Sequence, residues 1–237
     1  MRRRERAYNP GMNRTLYAVH RWVSLAALAQ LLVWTATGFF FAVTPIERVR
    51  GEDRVARSPP APIPWDRVGR LPVAALDGAE EVAIRVVDGR PLLVARGAGG
   101  RRFALDAATG REASIDAASA ERIARADQEG RPAALAVIRV EEAPLEYRGR
   151  PLPAWRVDLD DGRGTRVYVD AAAGAVTARR SGLWRLYDFL WGLHIMDWGG
   201  RERFDSAWLV AFAALGLATA LTGAVTWVAR AARRARR

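Results

Sequence analysis

Two histidines and no cysteine occur in the 237 residues, so His20 and His194 are the only side chains here with an imidazole's capacity for metal ligation or proton transfer near neutral pH. The missing thiols remove disulfides, thiolate-held iron–sulfur clusters, cysteine nucleophiles and haem attachment through C-x-x-C-H. Other patterns fail on their spacing. Asp158-Leu159-Asp160-Asp161-Gly162 begins like a calcium loop, but its glycine comes one position early and Val169 stands where the closing glutamate belongs. Asp161-Gly162 reads instead as a hairpin turn. Gly97-Ala98-Gly99-Gly100 lacks the Lys-Ser/Thr of a phosphate loop and reads as a turn between strands. Neither G-x-S-x-G nor H-E-x-x-H occurs, and no pair of acids stands apart from the solvated background.

Both histidines border apolar stretches. Val23–Val43 is an uncharged run of 21 residues, about 31 Å as a helix and so matched to a bilayer's hydrocarbon core. Ala207–Ala229 is a second uncharged run of spanning length. Trp22, Trp208 and Trp227 stand at the ends of these runs, as interfacial belts require. The first run is too long for a cleaved export signal, and Phe39-Phe40-Phe41 occupies the place where small cleavage-site residues are needed. It is expected to remain as a signal anchor.

The net charge of +11 is concentrated at the ends. All 37 basic residues are arginine, and eleven of them lie in 1–22 and 230–237 against a single acid, Glu5. Lysine-free, alanine-rich composition points to a GC-rich bacterial genome. A nucleic-acid binder gathers its cations on a folded face, so no nucleic-acid partner is expected. Arginine-rich flanks stay in the cytoplasm, which places the chain in a bacterial inner membrane with both tails (1–22 and 230–237) cytoplasmic and the middle in the periplasm. In the second span Gly216, Ala220, Gly223 and Ala224 form a small-residue stripe. It suits close helix pairing, with the first span or in a homodimer, and equally suits a genome that fills helices with alanine.

Residues 44–80 form a connector, densest in proline and charge over 45–72. Short alternating runs follow: Glu81–Val87, Pro91–Ala95, Arg101–Asp106, Leu135–Glu141, Ala154–Asp160 and Thr165–Asp170, the pattern of antiparallel strands. Asp116 caps a helix over Ala117–Gln128. The middle also echoes itself. Phe103-Ala104-Leu105-Asp106-Ala107-Ala108-Thr109-Gly110 is matched by Val167-Tyr168-Val169-Asp170-Ala171-Ala172-Ala173-Gly174, each following a Gly-Arg-Pro-Leu hairpin. Asp accepting backbone N–H groups and Gly at positive φ make each ending a turn. Residues 181–199 carry Leu183, Leu186, Tyr187, Leu190 and Leu193 at helical spacing with Trp184, Trp191 and Trp198. They read as a helix on the lipid surface or, alternatively, as a buried helix of the exported domain.

The run from Ile115 to Arg179 (a helix, a strand, Trp155-Arg156-Val157-Asp158-Leu159 and Val167-Tyr168-Val169-Asp170) resembles a PepSY domain, and residues 81–113 resemble only its β half. His20-Arg21-Trp22, Pro45-Ile46-Glu47-Arg48 and Leu183-Trp184-Arg185-Leu186-Tyr187-Asp188 resemble the flanks of PepSY-associated membrane proteins. The resemblance implies an α+β protein whose two transmembrane helices flank an exported PepSY-like domain, 114–180, preceded by the half repeat at 81–113. It implies a non-catalytic binding or regulatory module, similar to protease inhibitors, with a periplasmic protein or peptide as partner. Larger relatives, the ferrisiderophore reductases of iron uptake, carry b-type haem on membrane histidines. The resemblance therefore implies an alternative, a haem-bearing electron-transfer subunit using His20 and His194. Roughly 30 Å of bilayer separates these two along one chain, so each would need its counterpart in a second copy. The plainer alternative is an interfacial histidine bonded to lipid or backbone.

Overall fold

The computed structural model describes residues 10–57, 61–100 and 102–235, with the side chains of residues 10–20 and a few positions elsewhere outside the described set. It is a mixed α+β structure that divides into two units, 1–43 with 188–237 and 44–187.

In the first unit, α1 (Pro10–Val43) contains the candidate span Arg21–Val43, and α5 (Ala207–Ala235) contains the candidate span Ala207–Ala224. The two helices touch each other. Their outer faces present Leu25, Leu28, Leu31, Leu32 and Phe39 on α1 and Trp208, Val210, Leu217 and Leu221 on α5, all exposed. Apolar surface on that scale calls for lipid around it. On α1 the less exposed line is Ser24, Ala27, Gln30, Trp34, Thr37 and Phe41, spaced at three and four residues along one helix face.

The second unit is built from two antiparallel meanders. The first runs β1 (Ala79–Val87), β2 (Arg90–Gly97), β3 (Arg102–Asp106) and β4 (Glu112–Ala113). The second runs β5 (Ala134–Val140), β6 (Ala154–Leu159), β7 (Arg166–Asp170) and β8 (Val176–Arg180) in the same order. Between them lies α3 (Ala117–Asp127), started by the Asp116 carboxylate accepting from the Ser119 N–H at 2.7 Å. Alternation puts Leu92, Val94 and Ala104 of the first sheet and Val157, Leu159, Val167 and Val169 of the second into one core, with Ala120 and Ala124 of α3. The half repeat thus keeps its own sheet and shares a core with the later one.

The repeated turn explains why both meanders fold alike. Asp106 Oδ1 accepts from the N–H groups of Ala108 and Thr109, and Asp170 Oδ1 from those of Ala172 and Ala173. Ala107 donates to Pro91 O, and Ala171 donates to Pro153 O. The structural equivalent of Pro91 is therefore Pro153, two residues beyond the Pro151 that the sequence echo aligns with it. Gly174 has φ +62, and a Cβ there would lie 2.5 Å from Val87 Cγ1, so this glycine lets the second turn seat on the first sheet.

The 44–80 segment lies along the second unit. Its short helix α2 (Ile46–Val49) buries Val49, Val55 bridges to Gln128, and Val68 and Leu76 cover Leu93 and Leu105 on the outer face of the first sheet. At Gly69 a Cβ would meet Ala108 O at 2.5 Å, so only glycine permits that approach. α4 (Gly182–Ile195) is shorter than the helix anticipated over 181–199. It stops because Met196 takes φ +54.

Candidate functional site

His194 sits in a cradle of α1 and α4 side chains. Its ring stacks near-parallel on Trp191 with centroids 6.4 Å apart, and Phe41 meets it edge-on at 5.5 Å. The Trp34 indole N–H donates to His194 O at 2.8 Å. Thr37, 5 % exposed, lies 2.8 Å from His194 Nδ1 through its Oγ1. That hydroxyl has one proton, which it gives back along its own helix to Val33 O at 2.7 Å. With its proton on Val33 O the hydroxyl accepts from the imidazole, and that arrangement requires the tautomer with the ring proton on Nδ1 and a lone pair on Nε2. A metal-binding histidine has its remote N–H held by a partner in the same way.

Beside the cradle, Asp188 pairs with Arg201 at 2.5 Å, both largely buried. The arginine reaches it across Gly192, where a Cβ would come within 3.0 Å of Arg201 Cγ. Asp188 and Gly192 stand one helical turn apart, so the glycine opens the path to the acid.

The His20 side chain lies outside the described residues, but its backbone belongs to α1, 17 residues before Thr37. At the helical rise that is about 26 Å. One haem therefore does not fit between His20 and His194 of a single chain. Among the described residues no three His, Asp or Glu side chains converge on a point that could hold a metal ion. On α5, Gly216 is half-buried while Ala220, Gly223 and Ala224 are exposed in the single chain, and a Cβ at either glycine would meet open space.

In the second unit the polar centre is Glu146, on a short turn of residues 145–147. Its carboxylate accepts from the Tyr168 hydroxyl at 2.7 Å and from Arg166 at 2.9 Å, with Arg185 at 3.7 Å. Burial alone would raise this carboxyl. The hydrogen bonds from Tyr168 and Arg166 and the two positive charges outweigh it and hold the group below the usual carboxylate range. Arg180 donates to Glu146 O at 2.6 Å and lies 4.1 Å above the Trp184 ring, and burial pushes its guanidinium down to about 10. Tyr147 stacks on Tyr168 at 4.2 Å and bonds Pro151 O and Thr177 Oγ1. Every group here is held by protein, which makes a rigid brace. Asp158 is likewise taken by Arg156 at 2.9 Å.

Sequence reasoning missed Thr37, Trp34 and Gly192 on the membrane side and Glu146 in the soluble unit. A threonine and a tryptophan one turn apart inside an apolar run was the available signal for the first two; Gly192 and Glu146 had none.

Two apolar helices long enough to span a bilayer, with an α+β soluble unit between them in the chain, define a two-span membrane protein. A family model, PepSY-associated TM region, matches residues 17–237. The chain belongs to that family. Comparisons with curated proteins and with solved structures find no match.

Proposed function

We propose that the chain is a bacterial inner-membrane protein with both ends in the cytoplasm, whose periplasmic unit is a non-catalytic module that binds an extended peptide or protein segment. The observation that carries this reading is β5. It pairs with β6 on one side and stands at the edge of its sheet on the other, over seven residues. Leu135 and Ile138 on it are 69 % and 41 % exposed. An open edge supplies a row of backbone donors and acceptors, and exposed apolar side chains beside it supply pockets for alternate residues of an added strand. The arginine-rich tails support the orientation.

The test is capture of periplasmic peptides by the full chain in nanodiscs. The Leu135→Lys/Ile138→Lys double variant should lose binding while keeping its circular dichroism. Equal capture by both proteins would refute the edge as the site. A second reading, a haem-bearing electron-transfer subunit, draws on the Nε2 lone pair that the Nδ1-protonated tautomer leaves to His194, and requires two copies to pair. A Soret band after haem-replete expression, lost in His194→Ala, is its signature; a colourless protein ends it.

A further inference from the structure

The soluble unit contains a second polar feature that neither the sheet edge nor the Glu146 brace uses. A cleft of about 510 Å³ is lined by Arg48, Asp53, Arg54, Arg163, Ser181, Gly182 and Leu183. Three guanidinium groups face one carboxylate. We propose that this cleft binds a phosphate ester, the headgroup phosphate of an anionic phospholipid.

The backbones that carry the arginines are fixed. Arg48 sits on α2, anchored by buried Val49. Arg54 precedes the Val55–Gln128 bridge, and its carbonyl accepts from the Glu129 N–H at 2.8 Å. The Arg163 N–H donates to Asp161 Oδ1 at 2.9 Å, and its carbonyl accepts from the Gly182 N–H at 2.9 Å. The side chains, in contrast, are weakly engaged. Arg163 stands 3.9 Å from Asp53 and Arg54 stands 4.0 Å from Glu129, the outer limit of an ion pair, with all four groups a third or more exposed. Arg48 has no carboxylate within that limit among the described residues. Such pairs give way to a ligand that accepts several guanidinium donors at once, and phosphate does so with planar forks. The first turn of α4 closes one wall, and its amide dipole favours the same charge.

Size and chain position favour an ester over the bare ion. The cleft falls in the range of small-molecule sites, larger than phosphate alone needs. Arg48 follows the last residue of α1 by five positions and Leu183 precedes Asp188 by five. Five residues of extended chain reach at most about 18 Å, a limit on the tether that holds however the two units are disposed.

The experiment uses the full chain in a zwitterionic detergent, titrated with dihexanoyl phosphatidylglycerol, dihexanoyl phosphatidylcholine or inorganic phosphate and read by thermophoresis. Saturable binding of the phosphatidylglycerol is expected, weakened roughly tenfold in Arg48→Gln and unchanged in Arg50→Gln, which lies outside the lining. Arg48→Gln breaks no ion pair among the described residues and so should fold, and the Arg48→Gln/Arg54→Gln/Arg163→Gln variant should abolish binding. Tighter binding of phosphatidylglycerol than of inorganic phosphate assigns the lipid as source; equal binding assigns free phosphate and overturns the lipid assignment. Binding of neither, or binding that Arg48→Gln leaves intact, overturns the site.

Discussion

Replacing Glu146 by alanine should be among the most damaging single changes in the soluble unit. The carboxylate side chain is 11 % exposed and takes the Tyr168 hydroxyl at 2.7 Å. A hydrogen bond to a charged acceptor contributes about 1.5–3 kcal/mol, and the buried hydroxyl would be left without its partner. Arg166 and Arg185 are each about a third exposed, and Arg166 keeps Asp158 at 3.8 Å. Solvent screening limits their joint share to about 0.5–1 kcal/mol. The expected loss is about 3 kcal/mol, which for a unit of this size lowers the melting temperature by about 6–12 °C. Thermal unfolding of the full chain in detergent, followed by near-ultraviolet circular dichroism, measures it. Tyr168→Phe should cost less, and the double variant should show a coupling of about 1.5 kcal/mol. The pH dependence has a definite sign. Because the folded carboxyl titrates below its ordinary value of 4.5, its contribution is complete above that pH and is lost as pH falls through the lower folded value. The gap between wild type and Glu146→Ala should therefore narrow as pH falls through the lowered folded value. A coupling below about 0.5 kcal/mol, or a gap that stays unchanged in acid, would refute the brace.

Two other substitutions or states are equally specific. Gly174→Ala combines a positive φ with a 2.5 Å approach to Val87, so it should destabilise the soluble unit by about 2–4 kcal/mol in the same melt; an unchanged melting temperature would contradict the seating of that turn. Nitrogen-15 NMR of labelled histidine should find His194 neutral with its proton on Nδ1. A proton on Nε2 would mean that Thr37 does not accept from the ring.

Much of the fold could be read locally. The uncharged runs became α1 and α5 because their periodicity is overwhelmed by apolar content. The Asp106 and Asp170 turns formed as read because each carboxylate reaches N–H groups only two and three residues ahead. Asp116 capped α3 for the same reason. What stayed hidden depends on partners far along the chain. Thr37 meets His194 across 157 positions, and Glu146 meets Tyr168 across 22. No spacing rule encodes such pairs. The connector's packing was hidden for a physical reason. Proline and charge signal a segment without regular structure, and they say nothing about whether its few apolar residues, Val49, Val68 and Leu76, find a surface to cover.

The central claim is the disposition of the chain about a bilayer, and the absence of native cysteine makes it directly testable. Glu142→Cys lies in the exposed loop after β5, and Ala231→Cys lies exposed near the end of α5. A membrane-impermeant maleimide added to intact spheroplasts should label Glu142→Cys at once and Ala231→Cys only after lysis. Labelling of Ala231→Cys in intact spheroplasts, with Glu142→Cys protected until lysis, would contradict it.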